Sequence, residues 1–280
     1  MTQVHPTAVI EEGATLEDGV HIGPYCHVGP AVTLGKGTRL RSHVVVTGRT
    51  TLGQGNDVWP FAVVGADPQD LKFKGEDSEL IVGDRNTIRE SVTIHKGTAN
   101  DRSLTRVGSD NLLMAYVHIG HDSTIGNHVV VANAVAVPGH ALIEDHAVIG
   151  GLTAFHEFVT VGRYAYVGGM ARITRDVPPF MKVDGMGVVR LFNDVGLKRH
   201  KFDPAIAGSI RDAWKRLYKR NGEEHGVMAR GEVLDELLAE YPENWAIQEL
   251  VAAIKRSRAG IHGRYRETLR RDNAFTNPVK

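Results

Sequence analysis

One cysteine, Cys26, stands in a chain of 280 residues, and a lone thiol cannot close an internal disulfide. Burial and hydrogen bonding must hold the fold together, as is usual in a reducing cytoplasm, where the protein is expected to reside. Also missing is any apolar run near the roughly 18 residues that span a bilayer. The amino terminus lacks a charged-then-apolar leader, so neither a membrane span nor an export signal is expected. Formal net charge is zero, and no basic strip carries interleaved aromatics, so a nucleic-acid partner is not expected. The balance is uneven along the chain: residues 196–280 hold about 17 Lys or Arg against about 12 Asp or Glu. Such an excess suits either a solvated helical face or contact with an acidic protein or a phosphorylated ligand.

What is abundant is glycine, 31 residues, above the usual share of about 7%, together with a strict period of six. From Val107 a large apolar residue returns at Leu113, Ile119, Ile125, Val131, Val137, Ile143, Ile149, Phe155, Val161, Val167 and Ile173. Val4, Ile10, Leu16 and Ile22 begin the same pattern, which continues to Val64. Neither a helix nor a flat strand has this period; a parallel β-helix of hexapeptides does. Four residues after each large one comes a small or β-branched residue, such as Val117, Ser123, Val129 and Val135, suited to a tight inward corner. Cys26 occupies one of these inward positions, and packing is its expected role.

Three six-residue faces make a coil of eighteen, so residues eighteen apart should stack at about the 4.8 Å spacing of neighbouring strands. This places His121 beneath Gly139 and His140 above Asp122. Gly120, Pro138 and His156 form the adjoining column, and His118 lies on the same turn. Two stretches break the period, near 66–81 and 95–106. The first contains a proline turn, two carboxylates and a lysine, suited to a polar ligand; the second, small and polar, reads as a mobile surface excursion. After Val177-Pro178-Pro179 the coil should stop, giving a β-helix over 1–190 and an α-helical domain over 191–280. Asp203-Pro204 caps one helix, with Ile206, Ile210, Ala213, Trp214 and Leu217 on its apolar face. Further helices are expected over Glu232–Glu240 and after Tyr241-Pro242, with the tail from Gly260 to Lys280 either helical or frayed. Such a bundle would cover the open end of the coil.

His121-Asp122 supplies a base and a carboxylate to orient it. Gly139, without a side chain, offers a bare N–H to an oxyanion. With no serine or cysteine placed as a nucleophile, direct attack of an acceptor on a thioester is the simpler chemistry. Three imidazoles on one edge could instead hold zinc. The close pair would then be His118 and His121, and Asp122 is better placed as a proton partner than as a ligand, so no metal is expected.

Several motifs carry a more specific resemblance. Gln69-Asp70-Leu71-Lys72, Ile88 to His95, Val107 to Met114, His118-Ile119-Gly120-His121-Asp122, Gly139-His140, Gly168-Gly169 and Asp176-Val177-Pro178-Pro179 occur in this order. Over roughly residues 4–200 the chain resembles the UDP-N-acetylglucosamine acyltransferases of lipid A biosynthesis. That resemblance implies a left-handed β-helix, a homotrimer with sites between subunits, and no cofactor beyond the thioester of an acyl carrier protein. It implies transfer of an R-3-hydroxyacyl chain to the 3-position of a UDP-amino sugar, with His121 as base, Asp122 as its partner and Gly139 as oxyanion donor. Asp70, Lys72, His118, His140, His156, Glu157, Asn193 and Arg199 would bind substrate, and Gly169 with Met170 would meet the acyl chain. A basic carboxy-terminal region would steer acidic carrier protein. Where this family has His-Gln-Phe, the chain has His156-Glu157-Phe158, a change that would favour an amine at the acceptor position. Other readings are a coenzyme A-dependent acyltransferase on the same coil and a catalytically silent trimeric scaffold.

Overall fold

The computed structural model describes residues 1–218 and 231–270. Strands mostly two residues long alternate with tight turns and wind into a left-handed parallel β-helix, as the period of six predicts. The first face carries 11 strands, from Gln3–Val4 to Val188–Phe192. The second carries 9, from Val9–Ile10 to Arg172–Ile173, and the third 8, from Thr15–Leu16 to Thr160–Val161. Leu113 pairs with Val131, and Val131 with Ile149, so successive coils stack in the anticipated register. The inward residues Leu34, Leu52, Ile88, Ile119 and Ile149 are all fully buried. Each such side chain contributes about 1.5–3 kcal/mol by leaving water. Val4, with no coil beneath it, is 43% exposed.

Buried polar residues at the inner corners are satisfied by the next coil rather than by water. Asn56 Oδ1 accepts from the Asn86 backbone and side chain at 2.9 and 3.0 Å, and Asn86 Oδ1 accepts from Asn111 N at 3.0 Å. Cys26 is buried as expected, its Sγ donating to Arg41 O at 3.0 Å. Burial pushes its thiol pKa up.

Both breaks in the period leave the coil at the edge between the second and third faces, following strands Val63–Ala66 and Thr93–His95. Strands Glu79–Val82 and Leu104–Val107 then pair along their whole length. The excursions are therefore 67–78 and 96–103, shorter than the broken period suggests, because the strands that follow extend backward by two residues. Their lengths reset the stacking: Val63 pairs with Thr93 and Thr93 with His118, in place of partners eighteen away.

The last parallel strand, Met181–Asp184, turns back into antiparallel Val188–Phe192, whose hydrogen bonds close the edge of the sheet. The expected boundary at 190 thus falls inside a hairpin strand. Helices α1 (Asp194–Arg199), α2 (Pro204–Tyr218), α3 (Gly231–Glu240) and α4 (Trp245–Ala259) follow. Asp203 Oδ1 accepts from Ala205 N at 2.7 Å, and Asn244 caps α4. Ile210, Ala213, Leu234, Leu237, Ile247 and Leu250 form a second core that includes Phe180 and Met181 of the last coil. This core seats the helices on the end of the solenoid. The short α1 and the hairpin had no sequence signal, since six and five residues are too few to display a period. The tail ends its described course in a 3-10 turn, Arg266–Leu269; the part of the expected tail beyond Arg270 lies outside the described residues. Among the described residues no helix is long and apolar enough to cross a membrane.

Candidate active site

The edge between the second and third faces gathers one turn from each coil. In three successive coils its third residue adopts positive φ, with Asp122 at 57°, His140 at 62° and Phe158 at 64°. Isolated residues resist this left-handed conformation. Here the coil imposes it, and so fixes the direction in which each side chain leaves the turn.

Asp122 is wholly buried. Its carboxylate takes Thr98 N at 3.1 Å to both oxygens, the Thr98 hydroxyl at 2.7 Å and His121 Nδ1 at 2.9 Å. A carboxylate only accepts, so Nδ1 carries the imidazole proton and Nε2 presents a lone pair. Directly above lies Gly139. A methyl group built on it would stand 2.7 Å from both Nε2 and Cε1 of His121. Any side chain there would displace the ring. The neighbouring His140 N donates to His121 O at 2.9 Å, locking the two turns together. Among the described residues the Gly139 N–H donates to no acceptor. The equivalent N–H groups of His121 and Glu157 are unpaired in the same way, but only at Gly139 does no side chain flank the amide.

The loop expected to be a mobile surface excursion proves to be the element that holds these groups. Thr98 is completely buried against Asp122, and Arg102 Nη2 donates to Asp122 O at 3.1 Å. Asp101 Oδ2 meets His140 Nδ1 at 3.0 Å. Burial opposes the charge of Asp101, yet the His140 hydrogen bond and the nearby cations Arg102 and Arg266 hold its pKa below the ordinary value. His140 lies flat on Phe158, ring centroids 4.5 Å apart. Small polar composition misled because a threonine that donates to a buried carboxylate and an aspartate that accepts from an imidazole look, in sequence, like residues that meet water. The loops also brace one another, with Lys96 Nζ 3.0 Å from Asp67 and Ala99 N bonded to Glu76 Oε1 at 3.2 Å.

His118 points from the second face, its Nδ1 2.8 Å from Thr93 Oγ1. Behind it His95, which had no role assigned from sequence, is buried edge-on to His118 at 4.8 Å. Burial, then the His118 and His121 imidazoles, depress its pKa from 6.5 to about 4. His156 and Glu157 occupy the next turn and are exposed, His156 Nδ1 contacting Glu157 O at 3.0 Å. Asp70 spends Oδ1 on the Lys72 N–H at 2.9 Å, an Asx turn that leaves Lys72 exposed on the first loop.

Four of the candidates are not brought to this edge within one chain. Gly169 and Met170 lie at the edge between the first and second faces, in a column with exposed Phe61, Tyr116 and Leu152. Asn193 was expected to reach a nucleotide. In this chain its Oδ1 caps α1 at Gly196 N, its Nδ2 donates to Tyr164 O at 2.8 Å, and it is 5% exposed. Arg199, in the last turn of α1, is exposed.

His121, Asp122 and His140 bring one potential ligand atom each within 4.8 Å of one another. One nitrogen of each ring and the carboxylate are already engaged: His121 Nδ1 with Asp122, His140 Nδ1 with Asp101, and Asp122 with Thr98. An imidazole held at Nδ1 by a buried carboxylate suits an oriented base, and His118 is not one of the three.

A hexapeptide coil with an oriented imidazole beneath a bare amide defines a transferase of the hexapeptide class. The bacterial transferase hexapeptide profile matches residues 13–48 and 104–139. Residues 176–262 match the second domain of UDP N-acetylglucosamine O-acyltransferase. A relative from Verminephrobacter eiseniae, an acyl-[acyl-carrier-protein]–UDP-N-acetylglucosamine O-acyltransferase, is 44% identical over 90% of this chain and 96% of its own. The UDP-N-acetylglucosamine O-acyltransferase of Moraxella catarrhalis superposes with a TM-score of 0.84 at 38% identity, covering 90% of this chain and 96% of that one. The UDP-N-acetylglucosamine acyltransferase of Arabidopsis gives 0.77 at 32%, covering 91% and 96%. The chain belongs to the UDP-N-acetylglucosamine acyltransferase family.

Proposed function

We propose that the chain transfers an R-3-hydroxyacyl group from acyl carrier protein to the 3-position of a UDP-N-acetylglucosamine-type sugar, the first step of lipid A biosynthesis. The observation that carries this reading is the placing of His121 Nε2 beside the bare Gly139 amide, with Nδ1 fixed on buried Asp122. As the sugar oxygen attacks the thioester carbon, Nε2 takes its proton, and the Gly139 N–H meets the oxyanion. Collapse reforms the carbonyl and breaks the carbon–sulfur bond, and the imidazolium returns its proton to the leaving thiolate. Asp122 keeps the imidazole in one tautomer throughout.

The acyl chain would run from this edge across the second face. There the outward residues in register after His118 are Ala136 and Ala154, both small and exposed. It would end near Leu152, Gly169 and Met170, on an edge whose apolar side chains stand in solvent in one chain. A homotrimer would cover that edge, and Asn193 and Arg199 would belong to a neighbouring subunit's site. Asp70, Lys72, His118, His140, His156 and Glu157 would surround the sugar and diphosphate.

The test is a panel of 3-hydroxyacyl carrier proteins and UDP-sugars, with products identified by mass. Wild type should acylate, and His121→Ala should keep its assembly while losing about 10²–10⁴-fold in rate. Undiminished turnover in His121→Ala would reject the assigned base.

A further inference from the structure

The segment after α4 crosses the functional edge as a strap. Gly263 O accepts from Asp176 N at 2.9 Å, Tyr265 N donates to Asp176 Oδ2 at 3.1 Å, and Arg264 Nη1 donates to Thr174 O at 2.7 Å. Arg264 and Glu267 form a buried ion pair at 2.6 Å that stiffens the turn. Two coils below, Arg266 Nε donates to His140 O at 3.2 Å. The strap is thus fastened both at the top of the solenoid and at the catalytic turn. The match to the family's second domain stops at residue 262, so these fastenings are made by residues that lie past it.

Between the strap and the 96–103 loop is a hollow of about 240 Å³, bordered by Arg102, Arg266 and Arg270 with His140, Asn100 and Phe158. Among the described residues Asp101 is the acid on its wall, shared by His140 at 3.0 Å and Arg102 at 3.8 Å. Burial, and then the neighbouring charge of Arg102, push the Arg266 pKa down, as expected of guanidinium groups gathered at one cleft. Three forked donors around a small cleft match the oxygens of a phosphate.

We infer that the strap completes a phosphate subsite beside the catalytic turn, formed by Arg102, Arg266 and Arg270. This rests on the acyl-transfer reading above, because both substrates of that reaction carry such a group. One is the phosphodiester between pantetheine and carrier protein; the other is the diphosphate of the nucleotide sugar.

Calorimetric titration of inorganic pyrophosphate into the full chain tests the subsite without turnover. Arg266→Gln and Arg270→Gln should each weaken binding by about tenfold or more, the loss expected for a charged hydrogen bond. No binding by wild type, or equal binding by all three proteins, overturns the proposal. Arg270→Gln matters because it leaves the Arg266–His140 bond intact, so its loss of affinity is not explained by a disturbed catalytic turn. Initial rates then name the source. If it is the carrier's phosphodiester, both substitutions raise KM for acyl-4′-phosphopantetheine but not for acyl-pantetheine. If it is the diphosphate, they raise KM for the UDP-sugar with either donor. Unchanged KM for every substrate would also overturn the subsite. Failure of wild type to transfer any acyl group would discard the acyl-transfer reading, and pyrophosphate binding would still decide the subsite.

Discussion

Thr98 closes over Asp122, giving the buried carboxylate one hydroxyl and one backbone N–H, and its hydroxyl meets the same oxygen, Oδ2, as the His121 ring. The 96–103 loop and the coil turn are thereby one catalytic unit, although they are far apart in the hexapeptide count. Thr98→Val keeps the shape and the N–H but removes the hydroxyl donor. It should cost about 1–3 kcal/mol of stability for the lost bond to a buried charged group. Turnover should fall more than substrate affinity, because the imidazole loses its fixed orientation. Thermal unfolding and steady-state rates check both effects; a variant with wild-type kcat would show that the loop does not act through Asp122.

At Gly139 the prediction is steric. An added methyl would lie 2.7 Å from the His121 ring, closer than real Cβ contacts allow, and the backbone N–H would remain. Gly139→Ala should therefore fold with native circular dichroism and lose at least about 10²-fold in kcat, comparable to losing a properly placed base or oxyanion donor. A crystal structure should show the imidazole rotated off its Asp122 bond.

Glu157 stands in the turn above Gly139 and is exposed, so its carboxylate borders the place where an acceptor would sit. A 3-amino sugar would gain from that charge, whereas a 3-hydroxy sugar would not. Relative rates with the two UDP-sugars should shift toward the hydroxyl acceptor in Glu157→Gln. An unchanged ratio would remove Glu157 from acceptor selection.

Acid response should reveal two opposed groups, buried His95 and half-buried Asp176. His95 titrates near 4 in the fold against 6.5 in its unfolded reference. Below pH 6.5 the unfolded chain binds the extra proton, and about 3 kcal/mol of stability is lost on the way to pH 4. Asp176, accepting from Thr160 N and Tyr265 N, is pushed by burial from 3.8 up to about 6. Here the folded chain binds the extra proton, so stability rises as pH falls from 6 toward 3.8, by a similar amount. The two contributions offset each other over that window. Denaturant unfolding of His95→Gln should show stability less diminished by acid than wild type, and Asp176→Asn more diminished; parallel profiles for all three would refute the assignment.

The period of six by itself determined the solenoid, because a large residue at every sixth position can be buried only by coiling around an axis. The same arithmetic placed His121 under Gly139 and Asp122 under His140, since stacking in this fold is a fixed count along the chain. It also determined α2, α3 and α4, whose apolar faces and capping residues are long enough to show a pattern. Tertiary structure decided what the count could not carry. The two excursions change the count, so Thr98, Asp101 and His95 reached the site through partners at irregular separations. Asn193 and Arg266 were settled by which backbone groups the folded chain left within their reach, one becoming a helix cap and the other a tether to the catalytic turn. Local composition specifies neither outcome, because an amide or a guanidinium bonds whatever acceptor the packing of distant segments brings to it.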